Sequence, residues 1–337
     1  MPERRSPLLV VGAVAIAALA LLAVFAPLLA PYDPDEQLDP AAAQLRPPGT
    51  RLAAVHLVEG RWLLADRVHR DGDALVIERL GQAQRLPLPS VANRRGDGVA
   101  DQRLFLLGSD RFGRDVLSRV IHGARISLTV AALALALALA LGIVVGGVAG
   151  AGGAVVDAVL MRGVDALLCF PALLLALAAA AFLQPSTGVV VLLLGSTGWM
   201  TLARLVRSEV RALRQREFVV AARSIGAHPA AILVRHLLPN ALTPVVADAA
   251  LRIGDLILAE AALSFLGMGV QAPVPSWGNM IADGRDVLSS AWWASAFPGL
   301  AIVVTVVAFN LLGDGLRDRL DPHRARAARS APAAPTG

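Results

Sequence analysis

The sequence predicts an all-α polytopic membrane protein with six transmembrane helices and one small β-rich insertion outside the membrane. The 337 residues are 56% hydrophobic and only 17% charged, whereas a soluble protein of this length needs more charge on its surface. The apolar residues come in long blocks, each close to the ~20 residues that cross hydrocarbon as a helix. Between the first two blocks, the composition changes to that of a soluble, strand-forming segment.

The first apolar block, residues 7–30, is predicted to be the first transmembrane helix. The alternative is a secretory signal peptide, whose apolar core is only ~7–15 residues long and precedes a small-residue cleavage site. This block is longer and lacks a clear site of that kind. Because Arg4 and Arg5 precede it, residues 1–30 are predicted to be a cytoplasmic N-terminus followed by a span.

Residues 31–106 are predicted to form the β-rich insertion on the extracytoplasmic side. Turn-forming residues, among them Gly60 and Gly72, separate its β-prone runs. A cap or a spacer is the simplest role for this insertion. The runs are LAAVHLV (52–58), RWLLADRV (61–68) and DALVIERL (73–80).

Residues 107–322 are predicted to hold the other five spans, and residues 323–337 a disordered cytoplasmic tail. The second span is expected to end in the glycine-rich turn GGVAGAGG (146–153). The third span contains Pro171, which membrane helices tolerate where neighbouring groups satisfy the freed carbonyl. The five spans are 126–149, 164–183, 188–206, 242–266 and 292–312.

The distribution of arginine predicts the orientation. All 31 basic residues are arginine, and they are abundant in the loop between the fourth and fifth spans and in the tail. Six spans after a cytoplasmic N-terminus place that loop and the C-terminus in the cytoplasm, as the positive-inside rule expects. The same clustering explains the net charge of +5 without nucleic-acid binding. One basic segment, residues 111–125, falls on the opposite side, where Trp277, Trp292 and Trp293 are expected to anchor the interface.

The cytoplasmic loop contains a compact basic segment, EFVVAARSIGAHPAAILVRHLLPN (217–240). Residues 217–224 are predicted to be helical, and small side chains on this helix let another surface approach its backbone. Gly226 is expected to take a left-handed conformation that ends the helix, and Pro229 suits the first turn of a second helix, 229–238. A generic amphipathic interfacial helix is the alternative. The residues expected on one side of the first helix are Phe218, Ala221, Ala222 and Ile225.

This segment resembles the EAA signature of the membrane subunits of ABC importers. Ala221-Ala222, Gly226 and Leu238-Pro239 match at the offsets of the signature, while Val220 replaces its Glu and His236 its Ile. Further stretches, in the same order, resemble permeases of the peptide/nickel importer group, and the resemblance covers residues 104–322 and the first span. They are LGSDRFGRDVLSRVIHGARISL (107–128), MRGVD (161–165), FP (170–171), EAALSFLGMGV (260–270), PSWGNMI (275–281) and FNLLGDGLRDRLDP (309–322).

The resemblance implies a type I ABC importer permease (MetI-like) fold in the cytoplasmic membrane, with both termini inside. Residues 217–239 would be a coupling helix that inserts into a groove of a separate ATPase subunit. The implied partners are a second, similar permease subunit, two ATPase subunits that bind ATP and magnesium, an extracytoplasmic binding protein and membrane lipid. Di- or oligopeptides are the implied cargo, with nickel chelates, glutathione or another solute left open. The coupling residues would be Glu217, Phe218, Ala221, Ala222, Arg223, Gly226, Leu238 and Pro239.

The fifth span carries four charged residues, which are costly at this depth unless they face protein or water. Arg252 has the spacing to pair with Asp248 or Asp255, so a helix-locking ion pair is the alternative to a role in a translocation pathway. Glu260 has no local cation. We expect it either at the pathway or its gate, together with Arg252 and Asp255, or in an interhelical hydrogen bond.

No cofactor, metal or catalytic site is predicted in this chain. His228 and His236 share the cytoplasmic loop. They are eight residues apart, and no carboxylate lies between them, so their spacing is poor for metal ligands. Because the chain has no lysine, it has no phosphate-binding loop of the Walker type, and ATP hydrolysis must come from a partner. A second hypothesis is a membrane-embedded enzyme or receptor that uses Glu260 and the other charges of the fifth span.

Overall fold

The structure, a computed structural model, describes residues 7–92 and 101–320. Arg4, Arg5 and the predicted tail, 323–337, lie outside the described residues. The chain divides into two compact units. Within the described residues, the helical unit comprises 7–20, 128–263 and 303–320, and the sheet-containing unit comprises the remainder.

Helices cover all six predicted spans. The helices are α1 (Pro7–Val24), α2 (Ala26–Leu29), α3 (Pro40–Ala43), α4 (Val116–Ala151), α5 (Ala154–Leu168), α6 (Ala172–Ala180), α7 (Thr187–Leu213), α8 (Glu217–Ser224), α9 (Pro229–Ile232), α10 (Leu238–Phe265), α11 (Trp277–Gly284) and α12 (Trp293–Leu320). By length and composition, α1, α4, α7 and α12 can cross a membrane, and α5 with α6 gives a fifth candidate. α10 coincides with the predicted fifth span, but it contains four charged residues and is not among these candidates in the described residues.

The predicted third span is not one continuous helix. α5 and α6 meet at an angle of 79°, and the break falls at Cys169–Pro171, where Pro171 has extended backbone angles. Proline lacks the N–H that an interior helical residue donates, and its ring disfavours a helical conformation of the preceding residue. The predicted span is therefore bent at Pro171 into two helices.

The glycine-rich sequence 146–153 is also different from the prediction, because α4 remains helical through Ala151. A Cβ atom added at Gly146 would lie 2.9 Å from Val206 Cβ, and one added at Gly150 would lie 2.8 Å from Val210 Cβ. These glycines face α7, so the absence of side chains lets the two helices approach closely. Close packing on α7 offsets the poor helix propensity of glycine.

The insertion is β-rich, as predicted, and contains two antiparallel three-stranded sheets with strand orders β2-β1-β6 and β3-β4-β5. The run 61–68 divides into β2 and β3, while β5 and β6 were not predicted. β5 (QAQRLP) is exposed at five of its six residues, so it lacks the apolar alternation that marks a strand. The strands are β1 (Thr50–His56), β2 (Trp62–Ala65), β3 (Arg67–Asp71), β4 (Ala74–Arg79), β5 (Gln82–Pro87) and β6 (Asp101–Phe105).

The basic segment 111–125 is largely neutralised by carboxylates of the sheet-containing unit. Arg114 forms ion pairs with Asp110 at 2.7 Å and with Asp283 at 3.2 Å. Arg111 also pairs with Asp283, at 2.7 Å. Because these charges are paired with acidic groups, the segment carries much less net charge than its arginine content indicates, which removes most of its conflict with the positive-inside rule.

Two of the three tryptophans expected to anchor the interface are buried instead. Trp277 is 1% exposed and Trp293 is 6% exposed. Their indole N–H groups donate to backbone carbonyls, of Val120 at 3.0 Å and of Ser109 at 3.1 Å, as buried tryptophans usually require. Trp292 alone of the three is exposed, so interfacial anchoring is wrong for Trp277 and Trp293.

Candidate coupling segment and membrane cavity

Residues 217–239 form the predicted helix–bend–helix. Gly226 follows α8 with φ of +79°, a left-handed conformation that glycine adopts without strain. No atom lies within 4 Å of the position that a Cβ at Gly226 would occupy. Pro229 is the first residue of α9, and the N-cap residue His228 accepts a hydrogen bond from the Ala230 N–H at 3.3 Å.

The second helix of the segment is less regular than predicted. After α9, residues Leu233–Leu237 form a π-helical turn that leads without a break into α10. Leu238 and Pro239 are therefore the first two residues of α10, but they do not lie at a free helix end, because the Leu238 N–H donates to the Leu233 carbonyl. Pro239 has no N–H with which to continue this pattern, and it lies where the π-helical turn gives way to the α-helix. Residues 217–239 are thus joined directly to the helix that carries the four charged residues of the predicted fifth span.

α8 presents an exposed apolar surface. Ile225 is 85% exposed, Val220 52% and Phe218 42%, and Ala221 lies beside them, also exposed. We call Phe218, Val220, Ala221 and Ile225 the docking face. Glu217 in the first turn and Arg223 in the last are exposed, and their charges have the sign that the helix dipole favours at each end.

Ala222 does not share this face, so its predicted orientation was wrong. Its side chain is only 8% exposed, and Val219, three residues earlier, is fully buried. Residues three apart lie on the same side of a helix, and here that side packs on the core of the helical unit. Ala222 is small because α8 must approach its own chain closely at this point.

One apolar cluster joins α8 to α7 and α10. Interiors packed at the density of organic crystals transmit displacement rather than absorb it, so these elements are expected to move as one body. Besides Val219 and Ala222, the cluster contains Ala138 of α4; Leu202, Val206 and Val210 of α7; Ile232 and Leu237; and Ala241 and Val245 of α10.

Arginines of α7 hold α5 through ion pairs that sequence reasoning did not find. Arg207 Nη2 donates to Asp157 Oδ2 at 2.6 Å, and Arg211 Nη1 donates to the same oxygen at 3.1 Å. Arg204, which lies one turn before Arg207 in α7, pairs with Asp165. The Asp157 side chain is 11% exposed, whereas those of Asp165 and Arg204 are about half exposed.

We predict that Asp157→Asn lowers the free energy of unfolding by about 2 kcal/mol, because two arginines lose their charged acceptor in a shielded site. Asp165→Asn is the matched control, since its exposed pair is expected to contribute less than about 1 kcal/mol. Thermal unfolding of both purified variants in detergent checks the difference. Equal effects of the two substitutions would contradict this ranking.

A cavity of about 150 Å³ lies among four helices of the helical unit. α7 and α10, which hold α8, also form two of its walls. Most of its lining is apolar or small, and its polar side chains are Thr197, Arg252 and Asp255. The lining residues are Leu135 and Ala138 of α4; Ala172, Leu173 and Ala176 of α6; Leu194, Thr197 and Gly198 of α7; and Arg252, Asp255, Leu256 and Ala259 of α10.

The charges of α10 divide into three environments. Arg252 Nε donates to Asp248 Oδ2 at 2.5 Å, and both side chains are about one-fifth exposed, so the predicted i,i+4 pair forms. The alternative pair, between Arg252 and Asp255, does not form among the described residues. Asp255 is exposed at the cavity instead. Glu260 is fully buried and is not part of the cavity lining.

Sequence reasoning did not identify the α4, α6 and α7 walls of the cavity. Their residues belong to uniformly apolar runs, and the sequence GSTG (195–198) is the one local signal, a small polar interruption of α7.

The described residues also contain no group of three or more His, Cys, Asp or Glu side chains placed to hold a metal ion.

Comparison with solved structures identifies the class of this fold. An inward-facing structure of the MetNI methionine ABC transporter includes a chain that matches with a TM-score of 0.50 at 18% identity. The match covers 60% of this chain and 96% of that chain. The fold is that of a type I ABC importer permease, as the sequence resemblance implied.

The family follows from sequence comparison. The family described as "Binding-protein-dependent transport system inner membrane component" matches residues 138–326, and the "N-terminal TM domain of oligopeptide transport permease C" matches residues 4–48. The chain belongs to the family of binding-protein-dependent transport system inner membrane components, and it is the permease component of an ABC importer. The hypothesis of a membrane enzyme or receptor is not favoured.

Two curated relatives are named as dipeptide permeases. The dipeptide transport system permease protein DppC of Escherichia coli K12 is 38% identical over 313 residues, which cover 93% of this chain and 88% of the relative. The protein of the same name from Alkalihalophilus pseudofirmus is 44% identical over 215 residues, which cover 64% of this chain and 71% of the relative.

Proposed function

We propose that this chain is the permease subunit of an ATP-driven importer of dipeptides or short oligopeptides. The names of its relatives support this cargo. It would work in the cytoplasmic membrane with a second permease subunit, two ATPase subunits and an extracytoplasmic binding protein. Both termini and residues 217–239 would face the cytoplasm, where the positive-inside rule favours the arginine-rich end of α7.

The observation that carries this proposal is that α7 and α10 connect the docking face to the cavity. Both helices pack on α8 through the apolar cluster, and both line the cavity. From Leu238, where α10 begins, to Asp255 at the cavity is 17 residues, or roughly 26 Å along a helix. A displacement of α8 is therefore delivered to two cavity walls as a rigid-body movement.

Alternating access follows from this connection. Closure of the ATPase pair on binding ATP would move the docking face, and α7 and α10 would then open the cavity to the outer side, where the binding protein releases the peptide. Hydrolysis of ATP would return the helices to the inward-open state. In this mechanism the chain converts ATPase movement into a change of access and performs no chemical step itself.

Uptake by proteoliposomes that contain the purified complex tests the function. With the binding protein outside and ATP inside, labelled alanyl-alanine is expected to accumulate, and omission of ATP or of the binding protein should abolish accumulation. A complex that assembles with its ATPase and hydrolyses ATP but does not accumulate dipeptides or short oligopeptides would contradict the proposed cargo. A purified chain that carries no ATPase would contradict the proposed assembly.

A further inference from the structure

We propose that the carboxylate of Asp255 binds the α-ammonium group of the peptide inside the cavity. The inference rests on the proposed function, and it adds the chemical group that this cavity recognises. It concerns the helical unit alone, because all lining residues of the cavity lie within that unit.

The cavity has room for a small solute. Its volume of about 150 Å³ is about ten times the ~15 Å³ that accommodates one water molecule. Its walls consist mainly of alanine and leucine side chains, which offer no hydrogen bonds to a ligand. Thr197 is a weak candidate for a donor, because its hydroxyl already donates to the Leu193 carbonyl at 2.8 Å. Recognition of a polar ligand therefore depends on the two charged residues of α10.

Those two residues are not equivalent. Arg252 is already neutralised by Asp248, to which its Nε donates at 2.5 Å. Asp255 forms no ion pair with any residue in the ranges 7–92 and 101–320, although Arg252 is only three positions away. The lining thus carries one uncompensated negative charge, on an exposed side chain ten residues before the end of α10.

A carboxylate in a membrane helix is costly unless water or an opposite charge compensates it. Water can hydrate Asp255 while the cavity is empty, but a ligand that displaces this water must replace its hydrogen bonds. The α-ammonium group of a peptide supplies three N–H donors and a full positive charge, and charge-assisted hydrogen bonds of this kind are the strong ones. It is also present in every peptide with a free N-terminus, so it allows binding without regard to side-chain identity.

The same charge disfavours other cargo. An anionic chelate or a peptide blocked at its N-terminus would bring no cation to Asp255 and would leave the carboxylate desolvated. We therefore infer that the pathway carries peptides with a free α-amino group. Binding to Asp255 does not require a free C-terminal carboxylate.

Saturation-transfer NMR on the purified complex, reconstituted in nanodiscs without the binding protein, tests this inference. The probes are alanyl-alanine, N-acetyl-alanyl-alanine and alanyl-alanine amide. We expect the acetylated probe to bind at least about ten-fold more weakly than alanyl-alanine, and the amide, which keeps the ammonium group, to bind within about two-fold. Equal binding of the acetylated probe, or no binding of alanyl-alanine, would overturn the inference even if uptake of dipeptides is observed.

Variants test the residue itself. Asp255→Asn is expected to weaken the binding of alanyl-alanine at least about ten-fold and to remove the difference in affinity between the acetylated and free probes. Asp255→Glu should keep that difference. Glu209→Gln is the matched control, because Glu209 is a carboxylate of α7 outside the cavity lining. Unchanged discrimination in Asp255→Asn would contradict the assignment. If Asp255→Asn does not fold, the comparison of probes on the wild-type complex decides.

Discussion

Ile225→Asp is expected to lower ATP-driven import at least about ten-fold while leaving the chain folded. Ile225, in the docking face, is 85% exposed, so the substitution should change the free energy of unfolding by less than about 1 kcal/mol, including the unfavourable charge near a helix C-terminus. In contact with an ATPase groove, the same carboxylate would be desolvated without a partner. Losing an apolar anchor at such an interface costs about 2 kcal/mol or more, which corresponds to roughly 30-fold in affinity.

The control for this substitution is Val58→Asp. Val58 is an exposed aliphatic residue, at 64%, that follows β1 in the insertion and lies outside the docking face. Import should fall at least about ten-fold in Ile225→Asp and remain close to the wild-type rate in Val58→Asp, measured as labelled dipeptide uptake at equal amounts of folded protein. Equal rates in the two variants would mean that the docking face does not bind the ATPase.

Gly146→Leu is expected to have the largest effect on stability. A Cβ at this position would lie 2.9 Å from Val206 Cβ and 3.1 Å from the Ala203 carbonyl carbon, and the backbone of α7 cannot rotate away as a side chain can. Overpacking by a few methylene groups costs about 1–3 kcal/mol and more where no neighbour can move. We therefore expect a loss of about 3 kcal/mol or more in the free energy of unfolding.

Gly163→Leu is the matched control for this second prediction. Gly163 is also a helical glycine, in α5, but no atom lies within 4 Å of its Cβ position. Its substitution should not lower stability in detergent, and the better helix propensity of leucine should raise the free energy of unfolding by up to about 1 kcal/mol. Thermal unfolding of the two variants checks the contrast, and a Gly146→Leu protein as stable as Gly163→Leu would show that α4 and α7 are not held in close contact there.

The bend of the coupling segment could be predicted from sequence because its causes are local. Gly226 takes a left-handed conformation and Pro229 starts a helix for reasons that belong to those two residues. The face that α8 turns outward could not be predicted in the same way. Ala221 and Ala222 are identical in type, and only packing within the apolar cluster of the helical unit decides that Ala222 is buried and Ala221 exposed.

The positions of glycines and tryptophans were misjudged for a related reason. Gly146 and Gly150 lie in a glycine-rich sequence that is typical of a turn, but they are helical because α7 packs against them. Tryptophan is typical of interfacial anchors, yet Trp277 is buried, and its indole N–H donates to the Val120 carbonyl. In each case a contact between residues distant in sequence outweighs the local preference.

The charged residues of the fifth span were found because charge is conspicuous in an apolar helix. Sequence spacing allowed Arg252 to pair with either Asp248 or Asp255, and the structure selects Asp248. That choice, which depends on side-chain geometry, leaves Asp255 as the uncompensated charge at the cavity. The apolar walls opposite it carry no comparable signal, since alanine and leucine line cavities and cores alike.

The most direct test of the central claim is the amount of ATPase that remains bound to Ile225→Asp during purification, compared with Val58→Asp. Because the docking face is proposed to be the contact through which α7 and α10 are moved, the ATPase should be retained by the wild-type chain and by Val58→Asp and lost from Ile225→Asp. Retention of equal amounts of a catalytically active ATPase by all three proteins, together with unimpaired import, would contradict the claim.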